Sequence, residues 1–269
     1  MSASGEISRR GLLKAAIVVP LGGGAAAAAG TRERVAFVLV HGAWHGGWCY
    51  ARVAEILRAQ GHKVFTPTLT GLGERSHLAT LGIINCSTHI RDVLNVIHWE
   101  RLDGIVLCGH SYGGRVISGA ADAVPERIKS LVYLDAAIPQ KGRSELDGTE
   151  PQKLTEVLDA AGDHGGHLLP PYPAEFFNVN PADRAMVDAL CTPQPIETFI
   201  ESLNLTGAYE NVAKKTFVMA TGWKGHPVLR QMYKEAKEDK GWTALEIPYG
   251  HDVMLDAPER VAEILLGAM

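Results

Sequence analysis

A serine in a glycine-flanked turn is the side chain in this sequence most suited to nucleophilic chemistry. Residues 109–113 read Gly-His-Ser-Tyr-Gly, which fits the pattern Gly-x-Ser-x-Gly. This motif lies between an apolar run at 104–108 and a stretch of helical character at 112–123. A sharp turn from strand to helix exposes the serine hydroxyl, and flanking glycines avoid steric collisions there. The motif and its context therefore predict that Ser111 is a nucleophile.

One histidine and two backbone amides can complete such a site. His251 stands in Gly-His-Asp, between the last predicted strand and the last predicted helix, where a general base can reach the serine. Ala43 lies in the loop after the first predicted strand, so its N–H can point at a developing oxyanion. The N–H of Tyr112, directly after the nucleophile, is the expected second donor. We therefore expect His251 as base and an oxyanion hole made by Ala43 and Tyr112.

The acid that orients the histidine is less obvious, because its common position lacks a carboxylate. Residues 221–224 follow the predicted strand 215–220 and read Thr-Gly-Trp-Lys. The preceding strand, 128–134, ends at Asp135, which we take as the acid. Asp252 is the alternative, although neighbours on one loop rarely face the same imidazole nitrogen. The acid would fix the histidine tautomer and stabilise its charged form.

Alternating apolar runs and helical patterns surround these residues. Strands are predicted at 35–40, 63–66, 104–108, 128–134, 215–220 and 243–247, and helices at 49–59, 88–99, 112–123 and 258–266. This alternation favours an α/β fold with a mostly parallel sheet covered by helices on both faces. In such sheets the site lies at the carboxyl ends of the strands, where the candidate residues fall.

The regular alternation of predicted strands and helices stops after the fourth predicted strand. Residues 140–212 contain clustered prolines and two short helical patterns, at 154–161 and 182–190. We interpret this stretch as a helical cap inserted into an α/β core made of residues 31–139 and 213–269.

The first thirty residues have the parts of an export signal. Arg9 and Arg10 precede an apolar stretch at 15–29 that is rich in Ala, Gly and Val. This stretch is too short, and its side chains are too small, to favour a membrane span. Paired arginines before such a stretch indicate a twin-arginine signal. We expect cleavage near residues 27–30, no stable membrane span afterwards, and a periplasmic or secreted enzyme.

Composition excludes several kinds of partner. The formal net charge of the 269 residues is -4, so there is no electrostatic reason to expect nucleic acid or an anionic membrane. The four cysteines match no zinc pattern of paired cysteines. We expect no metal and no cofactor, and the sequence leaves disulfides and a homodimer open.

These motifs together resemble one branch of a known family. Residues 37–48 are similar to the opening of the esterase and hydroxynitrile lyase branch of α/β hydrolases, and residues 68–73, 109–114, 131–135 and 250–252 continue the similarity. The resemblance covers about residues 35–140 and 215–268. It implies the α/β-hydrolase fold, a small helical cap over an apolar pocket, no cofactor, and hydrolysis of small or aromatic esters.

Departures from related activities narrow the expected chemistry. The lyases carry a Thr after the loop histidine and a Lys after the catalytic histidine, whereas this sequence has Gly42 and Asp252. A lyase needs a cation to hold departing cyanide, and Asp252 has the wrong sign. Some haloalkane dehalogenases place the acid as Asp135 is placed here, but they need a carboxylate nucleophile where this sequence has Ser111.

The expected function is therefore hydrolysis of a small, fairly apolar carboxylic ester through an acyl-enzyme. A lactone, amide or carbon–carbon substrate would use the same residues, and a lyase or cyclase would use Ser111 and His251 without an acyl-enzyme. A ligand-binding protein on a hydrolase scaffold is the alternative from another class. The candidate pocket walls are aromatic: Trp44, Trp48, Tyr112, Phe176 and Phe177.

Overall fold

A six-stranded parallel sheet forms the centre of the computed structural model, which describes Met1 and residues 34–147, 149–225 and 227–269. Its strands are β1 (Ala36–Val40), β2 (Lys63–Phe65), β3 (Ile105–His110), β4 (Ile128–Leu134), β7 (Lys214–Ala220) and β8 (Trp242–Ile247). Their order in the sheet is β2-β1-β3-β4-β7-β8, and every neighbouring pair is parallel. Apart from Met1, the predicted signal segment 1–30 lies outside the described residues.

Helices follow most of these strands along the chain. They are α1 (Ala51–Ala59), α2 (Cys86–Trp99), α3 (Gly113–Ala123), α7 (Pro227–Glu238), α8 (Val253–Asp256) and α9 (Pro258–Gly267). The prediction of a mostly parallel sheet flanked by helices is confirmed, and all six predicted strands are present within one or two residues of the expected bounds.

The central strands are buried on both faces, which explains their continuous apolar sequences. In β1, Val38 and Val40 belong to one hydrophobic cluster, and Phe37 and Leu39 belong to another. All four side chains have no solvent exposure. Because successive side chains of a strand point to opposite faces, these two clusters are the two layers of core that join the sheet to its helices.

Short elements fill the segment 140–212. They are α4 (Pro151–Gly162), β5 (Leu168–Leu169), α5 (Arg184–Leu190), β6 (Gln194–Pro195) and α6 (Glu197–Ile200). Strands β5 and β6 pair in antiparallel fashion and form a small sheet of their own. The predicted helical patterns at 154–161 and 182–190 correspond to α4 and α5.

Two further findings concern the cysteines and the possibility of a membrane-spanning helix. All four cysteines are free thiols, and Cys49, Cys86 and Cys108 are buried. Within the described ranges, no helix combines the length and the apolar character needed to cross a membrane.

Candidate active site

The turn between β3 and α3 has the strained geometry that its sequence predicts. Ser111 has a φ of 51°, in the left-handed region that non-glycine residues rarely occupy. Its N–H donates to the carbonyl of Leu134 at 3.3 Å. A methyl group on Gly109 would lie 2.5 Å from the carbonyl oxygen of Gly113, so only glycine fits there. The fold thus holds Ser111 directly after the carboxyl end of the central strand β3 and just before helix α3.

His251 and Asp135 form a short hydrogen bond at the same edge of the sheet. His251 Nδ1 donates to Asp135 Oδ2 at 2.6 Å, and the Asp135 side chain is fully buried. The other carboxylate oxygen accepts the N–H of Ala220 at 3.2 Å, and Trp223 Nε1 donates to Oδ2 at 2.9 Å. Asp135 also has a positive φ, 46°, directly after β4. Three donors therefore fix one carboxylate behind the imidazole.

His110 places the imidazole beside the nucleophile. Its Nε2–H donates to the carbonyl of His251 at 3.0 Å, and the two rings lie 4.5 Å apart between centroids. Ser111 is the next residue, and its N–H bonds to Leu134, the neighbour of Asp135. Among the described residues no hydrogen bond joins the Ser111 hydroxyl to His251. Such bonds are often long or absent without substrate and tighten only in the substrate complex.

The loop after β1 packs directly against the nucleophile. A methyl group on Gly42 would lie 2.9 Å from Cβ of Ser111, so the two backbones are in close contact. The N–H groups of Ala43 and Tyr112 donate no hydrogen bond to any group in the part of the chain that is described. Trp44 has a φ of 64° and donates its N–H to Gln194 Oε1 at 3.0 Å. The two amides without a partner therefore belong to the residues directly after Ser111 and directly after Gly42, which packs against Ser111.

Asp252, the alternative acid, contacts a different histidine. Its Oδ2 accepts from His45 Nε2 at 3.1 Å, and its Oδ1 lies 3.7 Å from His110 Nε2. Burial acts to raise the pKa of Asp252, but the charge and hydrogen bond of His45, together with the nearby His110 and His251, hold the pKa well below its usual range. Burial acts to lower the pKa of His45, but the charge and hydrogen bond of Asp252, together with the contact of Cys191, raise the pKa well above the usual value. Asp252 thus belongs to a second His–Asp pair.

The sequence profile of the alpha/beta hydrolase family matches residues 37–264. The chain belongs to this family. It is 44% identical over 238 residues to the carbendazim hydrolyzing esterase of Nocardioides sp. (strain SG-4G), covering 85% of this chain and 97% of that relative. It is 28% identical to the pyrethroid hydrolase of Sphingobium wenxiniae over 85% of each chain.

Solved structures agree on the fold. An extracellular alpha/beta-hydrolase from a Paenibacillus species has a TM-score of 0.74 and 24% identity, covering 87% of this hydrolase and 98% of that chain. A tomato methylketone synthase I variant has a TM-score of 0.70 and 26% identity, covering 88% and 97%. The predicted family and fold class are confirmed.

Aromatic rings surround the imidazole of this hydrolase. Phe177 stacks on His251 with centroids 5.3 Å apart, and Trp223 lies 4.4 Å away. Trp44 packs against Phe177 at 6.2 Å and donates its indole N–H to the carbonyl of Leu169 in β5. The His251 N–H donates to the carbonyl of Phe177 at 2.9 Å. Residues from the 140–212 segment thus form one wall beside the imidazole and also hold its backbone.

The other predicted wall residues have different positions. Tyr112 packs against Phe199 at 5.5 Å and hydrogen-bonds His89 through its hydroxyl at 3.0 Å. Phe176 is 56% exposed and belongs to the same aromatic cluster as Phe177. Trp48 instead stacks on His45 at 5.3 Å, away from the ring of His251.

Two residues of the site are absent from the sequence prediction. Trp223 has no predicted role, although it occupies the position after β7 where an acid is common. His45 has none either, although it lies two residues from Ala43. The signal in the sequence is only the place of Trp223 after β7 and the closeness of His45 to Ala43, because their partners lie far away along the chain.

Proposed function

We propose that this hydrolase cleaves carboxylic esters of small, fairly apolar substrates through an acyl-enzyme on Ser111. The observation that carries the proposal is the 2.6 Å bond from His251 to buried Asp135, directly beside the strained Ser111 turn. A carboxylate behind an imidazole and a hydroxyl exposed on a strand-to-helix turn are the parts of a serine hydrolase. The similarity to two named hydrolases of ester substrates supports the same chemistry.

Acylation begins when the Ser111 hydroxyl attacks the ester carbonyl. His251 Nε2 takes the hydroxyl proton as the new C–O bond forms, and Asp135 stabilises the resulting imidazolium through Nδ1–H. The carbonyl oxygen becomes an oxyanion that accepts hydrogen bonds from the free amides of Ala43 and Tyr112. The tetrahedral intermediate then expels the alcohol, which receives the proton from His251.

Deacylation repeats these steps with water as the nucleophile. His251 removes a proton from water, which attacks the acyl carbonyl, and the oxyanion again occupies the two amide donors. Collapse of this intermediate breaks the bond to Ser111 and returns the proton to its oxygen. The products are the free acid and the original enzyme.

Aromatic walls favour flat or apolar substrates. Phe177 and Trp223 lie against the His251 ring and Trp44 packs on Phe177, and such rings bind ligands by burying apolar area. Carbendazim is a substrate to test, because the relative named for its hydrolysis is 44% identical over 97% of its own length.

A panel of p-nitrophenyl and methyl esters tests the proposal, with acyl length and alcohol aromaticity varied and carbendazim included. We expect hydrolysis of short apolar esters that Ser111→Ala abolishes, with wild-type enzyme releasing a burst of p-nitrophenol equal to the enzyme present. No ester hydrolysis, or equal rates in the Ser111→Ala variant, would show that the proposed function is wrong and would favour a lyase or a binding protein.

We also propose that residues 1–30 export the enzyme in folded form. The adjacent Arg9 and Arg10 before an apolar stretch support a twin-arginine signal. Expression of the full chain followed by cell fractionation tests this. We expect activity outside the cytoplasm for wild type and cytoplasmic retention when both arginines are changed to Lys; unchanged distribution would contradict the proposal.

A further inference from the structure

The hydrogen-bond partners of His45 define its charge. Nδ1 lies 2.8 Å from the carbonyl oxygen of Ala43, and Nε2 lies 3.1 Å from Oδ2 of Asp252. A backbone carbonyl can only accept, and so can an ionised carboxylate. Both ring nitrogens must therefore carry a proton, which makes His45 an imidazolium paired with the Asp252 carboxylate. Both side chains are almost fully buried, at 3% and 0% exposure.

The surroundings fit a buried cation. Trp48 stacks on the His45 ring with an angle of 23° between the planes, and an aromatic face attracts positive charge. The other titratable groups that face His45 are Cys191, whose sulfur lies 3.9 Å from both ring nitrogens, and His110, at 6.2 Å between rings. His110 donates Nε2–H to a carbonyl and its Nδ1 has no partner in the described chain, so His110 is neutral.

The pair connects the two loops on which the reaction depends. His45 holds the carbonyl of Ala43, the residue whose N–H is the first proposed oxyanion donor. Asp252 directly follows His251, the proposed base. The two residues are 207 positions apart, and their bond is a side-chain link between the loop after β1 and the loop after β8.

We propose that the His45–Asp252 ion pair is a positioning device that sets the Ala43 amide at a fixed place relative to His251. This inference rests on the proposed function. Neither residue touches the reacting atoms, so both act through their neighbours. Ester substrate meets the Ala43 amide mainly once its carbonyl oxygen carries charge, so loss of the pair weakens the transition state more than substrate binding.

Three variants test the coupling: His45→Gln, Asp252→Asn and the double variant. The glutamine of His45→Gln has about the volume of histidine but carries no positive charge to pair with Asp252. The asparagine of Asp252→Asn keeps the shape of aspartate without its charge. We expect each single variant to lower kcat roughly tenfold with KM within about twofold, since a whole oxyanion donor contributes about 10² to 10³. The double variant should be no slower than the slower single one, because the two residues act as a unit.

The matched control is Cys191→Ala, which removes a contact with His45 without removing either bond. It should leave kcat unchanged. Binding of an arylboronic acid, which forms a charged tetrahedral adduct on serine, should weaken in the three variants in the same ratio as kcat. Unchanged kcat in both single variants, or losses of kcat that multiply in the double variant, would overturn the inference.

Nitrogen-15 NMR of the wild-type imidazoles tests the charge of His45 directly. Because it needs no substitution, its result does not depend on whether a variant folds. At about pH 8, above the ordinary histidine pKa of about 6.5, both nitrogens of His45 should be protonated. A neutral His45 ring at that pH would overturn the inference. Failure of the proposed function has a different signature: ester hydrolysis would be absent from wild type or unaffected by Ser111→Ala.

Discussion

At the scale of single residues, one oxygen of Asp135 has a central role. Oδ2 accepts both from His251 at 2.6 Å and from Trp223 at 2.9 Å. Asp135→Asn removes the negative charge and can leave the imidazole in the wrong tautomer, so we expect kcat to fall by up to about 10⁴ with little change in KM. Steady-state kinetics of Asp135→Asn beside Asp252→Asn measures this. A loss confined to Asp252→Asn would transfer the role of acid to Asp252.

Trp223 allows a second prediction about the same carboxylate. Trp223→Phe keeps a ring beside His251 but removes the indole N–H that bonds Asp135. A hydrogen bond to a charged group contributes about 1.5–3 kcal/mol. Because this one is only partly buried, we expect kcat to fall roughly tenfold, about 1.4 kcal/mol.

Trp242→Phe is the control for that change, since Trp242 lies in β8 and packs on Tyr133 at 5.4 Å. Its kcat should stay at the wild-type value. Equal kcat values for the two variants would show that the indole N–H of Trp223 has no part in catalysis.

Spacing along the chain predicts the residues whose position depends on local structure. Ser111 lies on a turn that its own glycines permit, and Asp135 follows a strand that its own apolar run defines. The partners of His45 and Trp223 could not be predicted in this way. Asp252 is 207 residues from His45, and Asp135 is 88 residues from Trp223, so only the folded sheet brings them together.

At the scale of elements, the strand-to-helix turn restricts what position 109 can hold. A methyl group on Gly109 would lie 2.5 Å from the carbonyl oxygen of Gly113 and 2.9 Å from the N–H nitrogen of Gly114. Gly109→Ala must therefore move backbone, which we expect to cost about 1–3 kcal/mol of unfolding free energy. Displacement of the nucleophile by about 1 Å should lower kcat roughly 10²-fold.

Urea unfolding and ester kinetics of Gly109→Ala beside Gly162→Ala measure both effects. A methyl group on Gly162, in α4, would meet no atom within 4 Å. That control should keep its activity and change stability by less than about 1 kcal/mol. A Gly109→Ala enzyme as active and stable as the control would contradict the account of the turn.

Elements with a strong periodic pattern are predictable, and those without one are not. The six strands of the central sheet have apolar runs that are long enough to be recognised in the sequence. Strands β5 and β6 have two residues each, and their pairing depends on the fold of residues 140–212. Helix α7 is absent from the predicted elements, although its buried Leu229, Tyr233 and Ala236 recur at helical spacing and Pro227 stands at its start.

At the scale of the whole molecule, buried neutral histidines make stability depend on pH. Burial lowers the pKa of His41 to about 3 and that of His89 to about 4. The unfolded chain protonates both near pH 6.5, whereas the folded protein does not, so stability falls as pH drops below about 6.5. At pH 5 each histidine should cost about 2 kcal/mol relative to neutral pH.

Other buried groups modify that profile in known directions. The depressed pKa of Asp252 gives stability that is lost only below the ordinary Asp range, as pH falls toward its folded value. The raised pKa of His45 gives stability that is full below about pH 6.5 and declines as pH rises toward its folded value. Burial likewise lowers the pKa of His110 well below its usual value, so between pH 6.5 and 4 the loss from His41, His89 and His110 should dominate.

Urea unfolding at neutral pH and at about pH 5 measures this dependence. His89→Gln should reduce the pH slope by about one proton, because it removes one of the buried neutral imidazoles of His41, His89 and His110. An unfolding free energy that is equal at both pH values in wild type would contradict the assignment of neutral buried histidines.

The most direct test of the central claim is covalent labelling of the nucleophile. Wild-type enzyme, Ser111→Ala and the control Ser144→Ala are treated with a p-nitrophenyl alkylphosphonate, and intact mass is measured. We predict one phosphonyl adduct, with loss of one p-nitrophenol, on wild type and on Ser144→Ala, and none on Ser111→Ala. An unlabelled wild type, or an adduct that persists on Ser111→Ala, would contradict the assignment of Ser111 as the reacting residue.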